Sequence, residues 1–86
     1  MSPLSGATEA FDSRGNAHLH MGKLDDAIGD YDNALKLDPT NWKPLYGRGV
    51  AKIRKSDTVG GQIDIDAAVK LHADAAAEER KLGISP

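Results

Sequence analysis

Cysteine is absent from the 86 residues, which removes disulfides, thiolate chemistry and cysteine-based zinc sites at once. Aromatic residues are scarce, with one Phe, one Trp and two Tyr, so a core has to be assembled mainly from Leu, Ile, Val and Ala. There is no surplus of positive charge. Eleven Lys and Arg stand against thirteen Asp and Glu, a net charge of −2, whereas binding to a phosphate backbone normally draws on a clustered basic excess; no nucleic-acid partner is expected. No apolar run approaches the roughly 18 residues of a membrane span, and none is expected here. The opening segment MSPLSGATEA has neither a basic start nor an apolar stretch, so no signal peptide is expected and the expected location is cytoplasmic. At this length the chain forms one domain at most, with a thin core.

What the sequence does contain is an internal repeat. Arg14, Gly15 and Ala17 recur 34 positions later as Arg48, Gly49 and Ala51. The same shift carries Asp30, Asp32 and Ala34 onto Asp64, Asp66 and Ala68, and Lys36 and Leu37 onto Lys70 and Leu71. Phe11 falls on Leu45, Leu19 on Ile53, Tyr31 on Ile65 and Leu35 on Val69, all without a gap. A period of this size marks stacked supersecondary units.

Each unit reads as two helices. Phe11, Arg14, Gly15, His18 and Leu19 recur at helical spacing from about Thr8, and Gly22 can adopt the left-handed conformation that stops a helix. A second helix carries Ala27, Ile28, Tyr31, Ala34, Leu35 and Leu37, with Asp25 as N-cap or first-turn acid and Pro39 as its stop. Asn41 is the expected cap of the third helix and Pro44 lies in its first turn. Ser56-Asp57-Thr58 makes the next turn, with Thr58 as a cap, and a fourth helix runs to Leu71. Residues 73–82, rich in Ala and Glu, predict a fifth helix that Gly83 and Pro86 end. A break near His72-Ala73-Asp74 is favoured over one continuous helix.

Gly15-Asn16-Ala17, Gly22, Asp26-Ala27-Ile28, Tyr31 and Ala34-Leu35-Lys36-Leu37-Asp38-Pro39, at this period, resemble the tetratricopeptide repeat. The second unit is more degenerate, with Ser56 at the family's turn glycine, Gly61 at its small alanine and Ala73 at its closing proline. The resemblance implies an all-α, α-solenoid fold of about five helices. Residues 1–7 would be flexible, 8–41 the first repeat, 42–72 the second, 73–83 a capping helix and 84–86 a tail. It further implies a non-catalytic module that binds a protein or peptide on the concave side lined by the first helix of each unit. Carried over position by position, that groove consists of Asp12, Asn16, Leu19, His20, Lys43, Tyr46, Val50, Ile53 and Arg54, with Tyr46 and Arg54 expected to carry contact energy without bearing on stability. Of a clamp for a C-terminal carboxylate only Asn16 is matched; Asp12 stands in place of a lysine and Val50 in place of an asparagine. The groove is acidic at Glu9 and Asp12, apolar in the middle and basic at Lys43 and Arg54, which suits a short segment with apolar anchors or an amphipathic helix, held with micromolar affinity. The alternatives are self-assembly as a homodimer, since two repeats fall short of the three that usually make a stable stack, and a regulatory segment of a larger protein.

Two further sets of residues carry chemistry. Arg14 and Arg48 are each followed, 16 and 18 residues on, by an Asp: Asp30 and Asp32, Asp64 and Asp66. One Asp of each pair is expected to reach its Arg across the two helices of its own unit as a structural ion pair. His18 and His20, two apart, point to different faces of a helix and cannot chelate one metal; His18 is expected to be packed or hydrogen-bonded. GxxxxGK[ST], GxSxG and HExxH are all absent, and no metal, no cofactor and no catalytic residue is expected.

Overall fold

The computed structural model describes residues 3–86, and side chains from residue 6. Among these residues there are five helices and no strand: α1 (Pro3–His20), α2 (Leu24–Leu37), α3 (Trp42–Arg54), α4 (Thr58–Leu71) and α5 (Ala75–Lys81). The fold is an all-α stack of helix pairs, α1 on α2 and α3 on α4, with α2 against α3 joining the pairs. Of the expected flexible segment 1–7, residues 1–2 lie outside the described residues and 3–7 are helical. Pro3 opens α1 where a missing N–H costs nothing, and the Thr8 start expected from periodicity lies inside the helix.

The termini follow local chemistry. Asn41 accepts a hydrogen bond from the Lys43 N–H (3.2 Å) and caps α3. At α4 the cap is Asp57, which accepts from the Gly60 N–H (3.0 Å); Thr58 is already the first helical residue, because the carboxylate one position earlier reaches the free amide. The residue before α2 is Lys23, and Asp25 lies in the first turn, where a negative charge meets the positive helix end.

Three helix C-termini close with one geometry. After α1 the N–H of Gly22 bonds to Leu19 O and that of Lys23 to His18 O (3.0 and 2.8 Å); after α3 the N–H of Ser56 bonds to Ile53 O and that of Asp57 to Lys52 O (2.9 and 2.8 Å). After α5 the pair is Gly83 to Arg80 O and Ile84 to Glu79 O (3.0 and 2.9 Å). This paired closure needs a left-handed residue at its centre, and Gly22, Ser56 and Gly83 have φ of 76°, 78° and 78°.

The 34-residue period reappears as equivalent packing. A β-carbon on Gly15 would lie 2.7 Å from the Tyr31 ring, and one on Gly49 would lie 2.7 Å from both Gly61 O and Ile65 Cγ1. The aliphatic partner of the second pair thus sits 34 positions after the aromatic partner of the first. Tyr31, fully buried, also fills the space over Gly47, where a β-carbon would come within 2.5 Å of its ring, so one side chain joins the first unit to the second. The core is completed by Leu19, Ala27, Leu45, Tyr46, Val50, Ala51, Ala68, Ala75 and Ile84.

Candidate functional site

Two polar networks hold the pairs at fixed angles. Asp30, buried on α2, accepts from Arg14 Nε (2.8 Å) and Nη2 (2.7 Å) and lies 2.6 Å from His18 Nδ1. Its counterpart Asp64 on α4 accepts from Arg48 Nε (2.8 Å) and Nη2 (2.9 Å) and from Lys52 Nζ (2.9 Å). His18 and Lys52 are again 34 apart, an equivalence hidden in the sequence because the side chains differ while the role, a donor one turn beyond the arginine, is kept. Burial alone would raise both carboxyls, but these hydrogen bonds outweigh it and hold Asp30 and Asp64 below the usual aspartate range.

The second Asp of each pair plays a different part. Asp32 does not reach Arg14; it accepts from Nη1 of Arg48 (2.9 Å) in the next unit. Arg48 is therefore forked between Asp64 of its own unit and Asp32 of the preceding one, which fixes the stacking of the units. Asp66 meets no arginine and accepts from Gln62 Nε2 (2.8 Å); the position 34 after Arg48 is Leu82, so the partner that would bridge onward is missing.

α1 and α3 lie against each other. Asp12 and Lys43 line one open cavity of about 390 Å³ with Glu9, Ser13 and Asn41. Asp12 Oδ1 is buried without a hydrogen-bond partner; burial pushes the carboxyl up to about 6, against the pull of Lys43 and with a push from Glu9. Tyr31 donates to Asn16 Oδ1 (2.6 Å) across the first pair, and burial drives its hydroxyl far above the ordinary tyrosine range. Near the C-terminus, Arg54 donates to the carbonyl of Ser85 from Nη2 (2.8 Å) and Nε (3.2 Å). Among the described residues no three His, Asp or Glu side chains gather as a metal site, and no helix is long and apolar enough to cross a membrane.

The helix pair from α1 to the end of α2, with glycine facing tyrosine and a glycine turn between the helices, decides the family of this segment. Residues 13–41 match the tetratricopeptide repeat. The solved structures yield no significant match to the chain. The repeat generally mediates protein–protein interaction and is generally non-catalytic. The match covers the first unit, while the second is tied to it by the equivalent contacts of Gly49, Ile65 and Asp64.

Set against the groove that a tetratricopeptide repeat implies, the nine expected residues divide. Asp12 and Lys43 are brought together, and His20 and Arg54 are exposed at the rim. Leu19, Tyr46 and Val50 are not free surface: Tyr46 is 4% exposed and the other two are at most 1%. They belong to the same core as Ile84, itself 0% exposed. Ile53 faces α4, where a β-carbon on Gly61 would come within 2.5 Å of its Cγ1. Asn16 is half-buried, and its carbonyl is already engaged by Tyr31. Trp42 stacks on His72, with ring centroids 4.4 Å apart and planes at 12°. That these residues are covered is not visible from the sequence, because the composition of Ala75–Lys81 shows a helix but not what it packs on. A hint lies in Gly83, which follows Gly49 by the same 34 positions as Gly49 follows Gly15. Thus α5 begins a third first-helix in register, and the chain turns back at Gly83.

Proposed function

We propose that this chain is a non-catalytic interaction module that takes a short peptide or helix of a partner protein along the concave side of its two units. The observation that carries the reading is the meeting of Asp12 from α1 and Lys43 from α3 around one open cavity that Glu9, Ser13 and Asn41 also line. Carboxylates and an ammonium around one cavity suit a short segment that presents polar groups of both signs. Two units offer a short groove, so micromolar affinity is expected. Titrating isotope-labelled protein with peptides selected from a random library tests this. Shifts centred on Asn16, His20, Lys43 and Arg54 are expected; shifts confined to α4 would reject the groove.

A second reading, self-association, draws on α4. Val59 and Ile63 are 75% and 63% exposed and, four apart, share one helix face, the kind of patch that a second copy can cover. Light scattering across a concentration series separates the two: a mass that stays monomeric into the millimolar range rejects this reading.

A further inference from the structure

The joint between the two units carries two ion pairs along one flank. Arg48 of α3 gives Nη1 to Asp32 of α2 (2.9 Å), and Lys55, which closes α3, reaches Asp25 in the first turn of α2. As the chain advances from Arg48 to Lys55 the partners recede from Asp32 to Asp25, so the two helices run antiparallel along this flank. The 34-residue period carries both halves of each pair to an open surface. On α4 the counterparts of Asp32 and Asp25 are Asp66 and Val59; on α1 and just after it the counterparts of Arg48 and Lys55 are Arg14 and Met21.

All four of these residues are exposed, and the two sets match. Arg14 gives Nε and Nη2 to Asp30 as Arg48 gives them to Asp64. Its Nη1, the atom that Arg48 gives to the preceding unit, meets no carboxylate among the described residues. Asp66 meets no arginine there and bonds only to exposed Gln62. At the second pair both charges are absent together. Val59 is 75% and Met21 62% exposed, an apolar side chain on each surface where the internal joint has an aspartate and a lysine. The spacings also agree. Asp66, Ile63 and Val59 lie three and four apart on one face of α4, and Arg14, Ala17 and Met21 three and four apart along α1. In the antiparallel register of the internal joint the small Ala17 stands opposite Ile63.

α5 leaves this flank of α4 open. Its residues Ala75–Lys81 are the counterparts of 41–47, and the counterparts of Arg48 onward turn back at Gly83. We infer that copies of this chain associate head to tail, the segment Arg14 to Met21 of one copy seated on the flank Asp66 to Val59 of another, with α5 in place. Such a contact rests on the self-association reading and specifies its two faces. Arg14 Nη1 meets Asp66 as Arg48 meets Asp32, and Met21 packs on Val59. The faces are unlike and belong to the first and last helices of the two stacked pairs, so each added copy leaves one face free and the association builds open chains of copies. Two turns of α1 make a small contact, and the affinity is correspondingly weak.

Sedimentation velocity on the full chain across a concentration series tests this. The mass is expected to rise past that of a dimer into the millimolar range. Val59→Asp, Met21→Lys and Asp66→Ala are each expected to weaken association about tenfold, since each leaves the group opposite without its match. The first two variants then supply a decisive mixture. Mixed in equal amounts they recreate the Lys55–Asp25 pairing between unlike copies, and are expected to associate to within about threefold of the unmodified chain, less so at high salt. Circular dichroism checks each fold, and Asp66→Ala decides alone if either of the others fails to fold. Association that Asp66→Ala leaves unchanged, or a mixture that associates no better than its components, overturns the inference. A mass that stops at the dimer and ignores Met21→Lys overturns it while sparing self-association through α4, whereas a chain that stays monomeric overturns both. No peptide enters the experiment, so the groove reading stands or falls separately.

Discussion

The turn after α3 places a serine where the turn after α1 has a glycine, and the difference converts into a measurable energy. Ser56 has φ 78° and Gly22 has φ 76°, with matching pairs of backbone hydrogen bonds around them. A left-handed conformation costs a residue with a β-carbon about 1–2 kcal/mol. Replacing it by glycine returns that strain but adds about 0.4–1 kcal/mol of unfolded-chain entropy to be lost on folding. Ser56→Gly is therefore expected to stabilise the protein by about 0.5–1 kcal/mol. Ser56 is exposed, so no packing opposes the change, and nothing lies within 4 Å of a β-carbon on Gly22, so Gly22→Ala reads the same backbone strain in reverse and should cost about as much. For a domain of this size the pair should move the melting temperature by about 3–6 °C in opposite directions. Urea titration gives the free energies directly, with unchanged slope. A neutral or destabilising Ser56→Gly with Gly22→Ala equally silent would refute the claim that these turns are equivalent and strained.

Other expectations are as direct. Arg48→Met leaves buried Asp64 with Lys52 alone and releases Asp32, and should cost about 2–3 kcal/mol in urea unfolding, more than Arg14→Met, whose own side chain is mostly solvated. Asp30 and Asp64 titrate below their unfolded values, so the stability they add is complete above about pH 4 and is lost as pH falls through their lowered folded values; a midpoint of unfolding that is flat from pH 5 to pH 2 would contradict both networks. Tyr46→Ala should cost about 3 kcal/mol or more because the ring is core, against the sequence-based expectation of a purely interfacial effect, while Tyr31→Phe, which removes one hydrogen bond to Asn16 and keeps the ring, should cost about 1 kcal/mol; both are read by thermal unfolding.

Much of the helical order was legible because it is written in single residues with strong local consequences. Gly22, Pro39 and Asn41 mark helix ends by backbone geometry alone, and the spacing of Gly15, Gly49, Asp30 and Asp64 shows which positions are equivalent. The groove was less legible, since a residue on the concave side of a repeat is exposed only if nothing else in the chain lies there. Leu19, Tyr46 and Val50 have the same local sequence signature whether a partner or the chain itself covers them, and the answer depends on how α5 ends. The turn at Gly83 decides it. With Gly83 left-handed and Ile84 following it, the helix stops after two turns and the next side chain points back into the core, because in this closure the residue after the turn packs against the helix's last turn. An arginine at position 82 on a helical backbone would stand to Asp66 as Arg48 stands to Asp32, 34 positions earlier. Leu82 and the turn at Gly83 thus act together: Asp66 bonds within α4 instead of bridging onward, and the chain turns back so that Ile84 enters the core.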